Sequence, residues 1–432
     1  MSLPYRRGRR STAPAATSAP GPLHATTAVC CALLLASSWG CSSTNPTEPA
    51  GSLTLLVDPT GAGDYTAIQP ALNAADDGDT VLVTPGAYTG GSNRDLDFGG
   101  KDIVLMAAAG RESVVIDCEG QGRGFYLHGG EGRDAIIDGF IITNGTAYRG
   151  AGAYLDGASP TIRNSVFSGN STEQDGYGGG MYVKNGSSPS LSNVVFEENT
   201  AGFSGGGLMC DPYCSPALSH VDFRDNESSG SGGGISCVLC DGLTLFEVEF
   251  IGNAASSSGG GIYCGSSDLS IDEASFLGNS ARDGGAISLS GSSPSISHAT
   301  IADNECIDGG GIHCTGGSSP TIRTSVIAFN LGEGSVFCAD ELSEPDTRRC
   351  CLYANFVTDI PCGTYDNLLY EDPLFCGLPD YDVTFCANSP CLPDGNTWGI
   401  RLGDRGQGCE DCGSSIGSAP IRPLVGRIPP PL

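Results

Sequence analysis

Positive charge is scarce in this sequence: 21 Lys and Arg stand against 49 Asp and Glu among 432 residues, a formal net charge of −28. That balance excludes nucleic acid and an anionic bilayer as main partners, because both are recognised through clustered cations. Cations and neutral or basic ligands remain open. Charged residues of either sign make up only 16%, and there are 5 His and 2 Trp. His128, His220, His298 and His313 are scattered, and no Ser or Cys nucleophile signature accompanies them. No apolar run is long enough to cross a bilayer as a mature helix. The run Ala28–Ala36 instead sits between Arg6, Arg7, Arg9 and Arg10 and the junction Trp39-Gly40-Cys41, which reads as an export leader with a lipoprotein cleavage site and lipidation at Cys41. Plain secretion is the alternative.

Glycine and cysteine are plentiful, at 65 and 20 residues. Twenty cysteines fit an oxidising compartment, so the expected location is a bacterial outer membrane or cell surface, or the secreted space. Three of them (Cys30, Cys31, Cys41) belong to the leader or its junction.

The glycines fall in a repeat. Phe-x-x-Asn recurs at Phe167–Asn170, Phe196–Asn199, Phe223–Asn226, Phe250–Asn253 and Phe276–Asn279, and Ile301–Asn304 and Ile327–Asn330 continue it. Counting Asn144 first, successive Asn are 25 to 29 residues apart. Gly-Gly-Gly or Gly-Gly-Ala before an aliphatic residue runs in step, from Gly178–Met181 to Gly309–Ile312. So much Gly and Asn at this period breaks helices and leaves strands joined by tight turns. Five residues before each Phe is an aliphatic residue (Leu191, Leu218, Leu245), and two before it a small or branched one (Val194, Val221, Val248). Strict alternation would send these two to opposite faces, so a bend must lie between them. In the Asn turn, Asn is expected to adopt the left-handed conformation and bond to the next coil. The pattern predicts an all-β fold: a single-stranded right-handed parallel β-helix solenoid of about ten coils. The expected layout is leader 1–41, linker 42–52, β-helix 53–330 opened by a helix over 64–75, Cys-rich C-terminal cap 331–413 and Pro-rich tail 414–432.

These residues resemble the pectin-lyase-like superfamily, and the paired Phe-x-x-Asn and Gly-Gly-Gly/Ala-Ile motifs look like polymorphic outer membrane protein repeats. Asp64-Tyr-Thr-Ala-Ile-Gln69 and Asp79-Thr-Val-Leu-Val-Thr-Pro-Gly-Ala-Tyr88 are similar to the entry segment of bacterial right-handed β-helix proteins, and Asp372-Pro-Leu-Phe375 with Ser389-Pro-Cys391 to their closing segment. The resemblance implies a fold over residues 53 to 413. Enzymes of the superfamily carry signatures such as Asn-Thr-Asp with Gly-His-Gly, or Asp-Phe-Ile-Phe-Gly, and none occurs here. The outer-membrane relatives end in a β-barrel, for which the residues after Cys412 offer no alternating strands.

Stacked coils place residues of equal register side by side. Three before the Phe the column reads Asn164, Asn193, His220, Glu247, Glu273, His298 and Thr324. Glu247 and Glu273 are therefore the candidate catalytic pair, since close carboxylates split their pKa values and suit general acid and base work on a sugar. Asp222, Glu249, Asp272, His220 and His298 are the candidate binding residues around them, and such a cluster would also hold Ca²⁺. The competing reading is a solvated acidic stripe. Cys210, Cys237, Cys264 and Cys314 form a second column, expected as disulfides or buried thiols rather than zinc ligands. Asn170, Asn199, Asn226, Asn253, Asn279, Asn304 and Asn330 are assigned to the structural repeat.

The sequence points first to a non-enzymatic exported surface protein that binds a polysaccharide or a surface protein, reaching a membrane only through a lipid anchor and needing no cofactor. A divergent polysaccharide lyase or glycoside hydrolase, and a structural envelope spacer, are the alternatives.

Overall fold

The structure, a computed structural model, describes residues 52–413 apart from 112 and 241. Cys41, the leader and the Pro-rich tail lie outside the described residues.

Each turn of chain lays down the same short strands, and almost every pairing is parallel with no slip in register. Leu191, Leu218, Leu245 and Ile271 stack as one column and Phe196, Phe223, Phe250 and Phe276 as another. The result is a parallel β-solenoid of about 14 turns. The sequence reading of ten is short because rungs without the repeat motif are hard to see: the first ladder begins at Thr54–Val57 and continues to Thr364–Asp366. The opening helix is Ile68–Ala74, with Ile68, Ala71 and Leu72 buried.

The inferred bend has a physical form. Positions five and two before the Phe are both buried: Leu245 and Val248, for example, are 2% and 0% exposed. The residue between that reverses the alternation is left-handed in every repeat, with φ of 50° at Asn164, 54° at Asn193 and His220, 52° at Glu247, 54° at Glu273, 47° at His298 and 48° at Thr324. Asn and His tolerate this region, but Glu and a β-branched Thr are strained there, at about 1–2 kcal/mol each. The whole candidate column is thus the bend itself, with its side chains turned off the core.

Inside the solenoid the Phe rings stack face to face, Phe250 over Phe276 with centroids 4.7 Å apart and planes 3° from parallel. The Asn turn departs from expectation in one respect. The left-handed residue is the one before the Asn, as in Glu198, Asp225 and Gly252, and this frees the Asn to point inward, where it is fully buried. Asn226 donates through Nδ2 to Asn253 Oδ1 at 2.9 Å, and Asn253 to Asn279 at 2.9 Å. Asn144 is itself left-handed, so it matches Gly169 and stands outside the ladder. Gly145 takes its place and donates to Asn170 Oδ1. At the other end the ladder gains Asn355, which accepts from Asn330 at 2.9 Å. The Gly triplets meet a steric demand: Gly178 has φ 67°, and a Cβ on Gly180 would lie 2.6 Å from the carbonyl oxygen of Gly207 one rung on.

Cys210, Cys237, Cys264 and Cys314 point into the core as free, buried thiols. Burial pushes the thiols of Cys118, Cys306, Cys314 and Cys350 up to about 12. The disulfides among the described residues are Cys338–Cys362, Cys376–Cys409 and Cys386–Cys412. Cys362 and Leu368 pack against the end of the core. Beyond them the chain folds back along the flank, where Phe375, Val383, Phe385 and Leu402 form a second apolar cluster with the outward side chains Leu277, Ala302 and Ala328. Among the described residues no helix is long and apolar enough to cross a membrane.

Candidate functional site

The fold-back carries three residues onto the acidic column: Arg401, Asp404 and Arg405. Together with the column they enclose a cleft of about 350 Å³ lined by Asn193, His220, Asp222, Glu247, Glu249, Glu273, Asp404 and Arg405. Two registers of the wall meet there. The left-handed bend supplies His220, Glu247 and Glu273, on adjacent rungs. The strand just beyond it supplies Asp222, Glu249 and Ser275, also in register.

Every carboxylate of the cleft has a partner. Glu247 pairs with His220 Nε2, whose Nδ1 lies 2.8 Å from the Ser219 hydroxyl. Arg401 donates to Glu273 at 3.0 Å. Arg405 bridges Glu249 and Asp404, its Nε 3.0 Å from Asp404 Oδ2. Arg224 reaches Asp222 at 2.7 Å and Glu249 at 3.8 Å. The acidic column is therefore neither a bare solvated stripe nor a pair of free carboxylates.

Two carboxyls stand above the usual range. Burial raises Asp222, and the neighbouring Glu249 raises it further against the charges of Arg224, Arg111 and Arg405. Burial also raises Asp404, against hydrogen bonds from Ser275 and Thr300 and the charge of Arg405. The Asp404 side chain is 4% exposed. Its Oδ2 accepts from the Ser275 hydroxyl, while Oδ1 is buried without a hydrogen-bond partner. Such an oxygen is costly unless a proton, a water or a ligand hydroxyl meets it.

The structure brings together five of the seven residues singled out from sequence: His220, Asp222, Glu247, Glu249 and Glu273. Asp272 and His298 are not in the lining and pair with each other at 3.0 Å. Burial pushes Asp272 up, but hydrogen bonds from His298 and Ser297 outweigh it and hold the carboxyl below its ordinary value. Arg401, Asp404 and Arg405 were missed. The local signal was a cluster of three charges, Arg401, Asp404 and Arg405, in a segment otherwise read as cap. Among the described residues, the group of three His, Cys, Asp or Glu ligand atoms that lie within 4.8 Å of one another is Cys376, Cys386 and Cys409, whose sulfurs are joined in disulfides.

A family model described as a right-handed β-helix region matches residues 104–276. No curated protein matches the chain by sequence. Among solved structures, pectate lyase Pel9A aligns at 13% identity and a TM-score of 0.44, covering 74% of this chain and 79% of its own. A mannuronic acid specific polysaccharide family 6 lyase from human gut microbiota aligns at 11% identity and a TM-score of 0.34, covering 74% and 83%. At that similarity neither bears on the chemistry of this chain.

Proposed function

We propose that this parallel β-solenoid, matched over residues 104–276 by a right-handed β-helix family model, is an exported saccharide-binding protein whose ligand seats in the cleft beneath Arg405. Export through the N-terminal leader, with lipid attachment at Cys41 or plain secretion, is part of this reading. The observation that carries it is Asp404: a carboxyl in the cleft lining, raised by burial, with one oxygen lacking any partner. Around it, imidazole, guanidinium, amide and carboxylate groups alternate, an arrangement suited to the vicinal hydroxyls of a sugar. Each is held by an ion pair or a strand, so little ordering is left for the binding step.

Cleavage of the bound glycan is the second reading, and Asp222 favours it. Asp222, whose carboxyl is raised by burial, lines the same cleft as the His220–Glu247 pair, so two titratable groups in different environments face one ligand. In this form of the idea Asp222 takes the acid's place assigned from the sequence to Glu247 or Glu273, because burial raises its carboxyl even with Arg224 paired to it at 2.7 Å.

The test is a panel of acidic and neutral polysaccharides incubated with the leader-free chain, with and without Ca²⁺, scoring retained binding and new reducing or unsaturated ends. Binding abolished by Asp404→Asn, without product, supports the binding protein. Product abolished by Asp222→Asn supports the enzyme. A panel with neither binding nor product rejects both.

A further inference from the structure

Another wall of the solenoid carries a second concentration of chemistry. Tyr126, Tyr154 and Tyr182 occupy one outward register on successive rungs. Tyr154 and Tyr182 stack at 5.4 Å with planes 5° apart. Beside them, on the short strands Thr146–Arg149, Ser171–Tyr177 and Thr200–Ser204, stand Tyr148, Tyr177 and Phe203. Arg149 lies among these rings, its guanidinium carbon 5.7 Å from the centroid of Tyr148, 5.9 Å from Tyr177 and 5.5 Å from Tyr182.

The charges here are unevenly satisfied. Arg123 pairs with Asp95 at 3.3 Å and Lys184 with Asp156 at 3.5 Å. The Tyr182 hydroxyl donates to Asp211. Among the described residues no carboxylate lies within ion-pairing distance of Arg149, and its Nε is buried with no hydrogen-bond partner. Tyr154 bonds to the guanidinium and the Asp211 carboxylate acts on it through space, but Asp211 is held by the Tyr182 hydroxyl. In a chain with 49 acidic residues, this half-buried cation is thus left without a direct carboxylate partner and open to an outside anion. Two aromatic side chains of the same cluster remain open to solvent, Tyr148 at 45% and Phe203 at 47% exposed.

We propose that Arg149, Tyr148 and Phe203 form a second ligand site, independent of the cleft, that takes a sugar chain bearing oxyanions: a carboxylate or sulfate meets the guanidinium and the sugar rings lie on the aromatic side chains. The fork of Arg suits either planar carboxylate or sulfate oxygens, and the fixed strands hold the aromatic groups in place without further ordering.

The experiment titrates the full leader-free chain with a sulfated glycosaminoglycan, with polygalacturonate and with neutral dextran. Variants are Arg149→Gln and Tyr148→Ala, each checked for a parental unfolding midpoint, and Asp404→Asn in the cleft. The proposal expects binding of at least one acidic polymer over dextran, weakened on the order of 10- to 100-fold by Arg149→Gln and weakened by Tyr148→Ala, both losses persisting when the changes are made in the Asp404→Asn background. Which acidic polymer binds identifies the oxyanion. Equal binding of dextran, no binding of either acidic polymer, indifference to both site variants, or loss only in Asp404→Asn would each overturn it.

Discussion

Arg405 pairs with Glu249 in the strand Thr244–Ile251, 156 residues earlier. With Arg401 on Glu273 it fixes the fold-back segment on the wall and gives the cleft its far side. Both members of the Arg405–Glu249 pair are partly exposed, at 38% and 27%, so the pair belongs between the surface and buried regimes. Arg405→Ala should lower stability by about 1–2 kcal/mol, read from urea unfolding. A double-mutant cycle with Glu249→Ala should return a positive coupling; a coupling of zero would mean that the apolar cluster around Phe385 and Leu402 holds the segment unaided.

Asp404 sets a pH dependence of definite sign. Its folded value lies above the ordinary 3.8, so the folded state favours the protonated form. The stability it contributes is complete below about pH 3.8 and is lost as the pH rises through the folded value. Asp404→Asn, which removes the ionisation, should therefore gain thermal stability relative to the parent as pH rises from 4 to 7. A difference that is flat across that range, or that shrinks as pH rises, would contradict the assignment.

The buried Asn ladder should be far less forgiving than the surface. Asn253 accepts from the Asn226 backbone N–H and side-chain amide through Oδ1, and donates through Nδ2 to the Phe223 carbonyl and to Asn279. Asn253→Ala strands the Asn226 N–H in the core and should cost about 2–4 kcal/mol. Hydrogen exchange should show the loss concentrated on the neighbouring rungs, because a solenoid turn touches only its neighbours. Uniform weakening along the whole chain would contradict that locality.

These cases mark where the sequence was readable. The phase slip between Leu245 and Val248 required a bend, and a left-handed Glu247 supplies it, because periodicity reports which side chains face inward. The Phe and Gly positions were equally plain. The Asn turn was misread by one position: spacing cannot tell whether Asn or the residue before it takes the positive φ, and Asn144 was counted into a ladder it does not join. Asn355 went unseen because Leu352–Asn355 lies among cysteines with no Gly triplet after it. In the cleft, same-register residues such as Glu247 and Glu273 were legible from the repeat. Arg401, Asp404 and Arg405 were not, since a contact spanning 128 to 156 residues outside the repeat has no period.

The strained bend offers a stabilising substitution. Thr324 is β-branched at φ 48°, whereas Asn at the equivalent Asn164 and Asn193 suits that conformation and forms a cross-rung bond of 2.7 Å. Thr324→Asn should raise stability by about 0.5–1 kcal/mol, measured as a higher denaturant midpoint at unchanged slope. A lower midpoint would mean that the bend at Thr324 is not held by backbone strain.

The central claim is that the cleft beneath Arg405 is where ligand sits. Its most direct test is hydrogen exchange of the leader-free chain with and without a saturating glycan from the binding panel. New protection is expected over residues 219–223, 246–250, 272–275 and 401–407. Protection confined to other walls of the solenoid, or the failure of every glycan in the panel to bind, would contradict it.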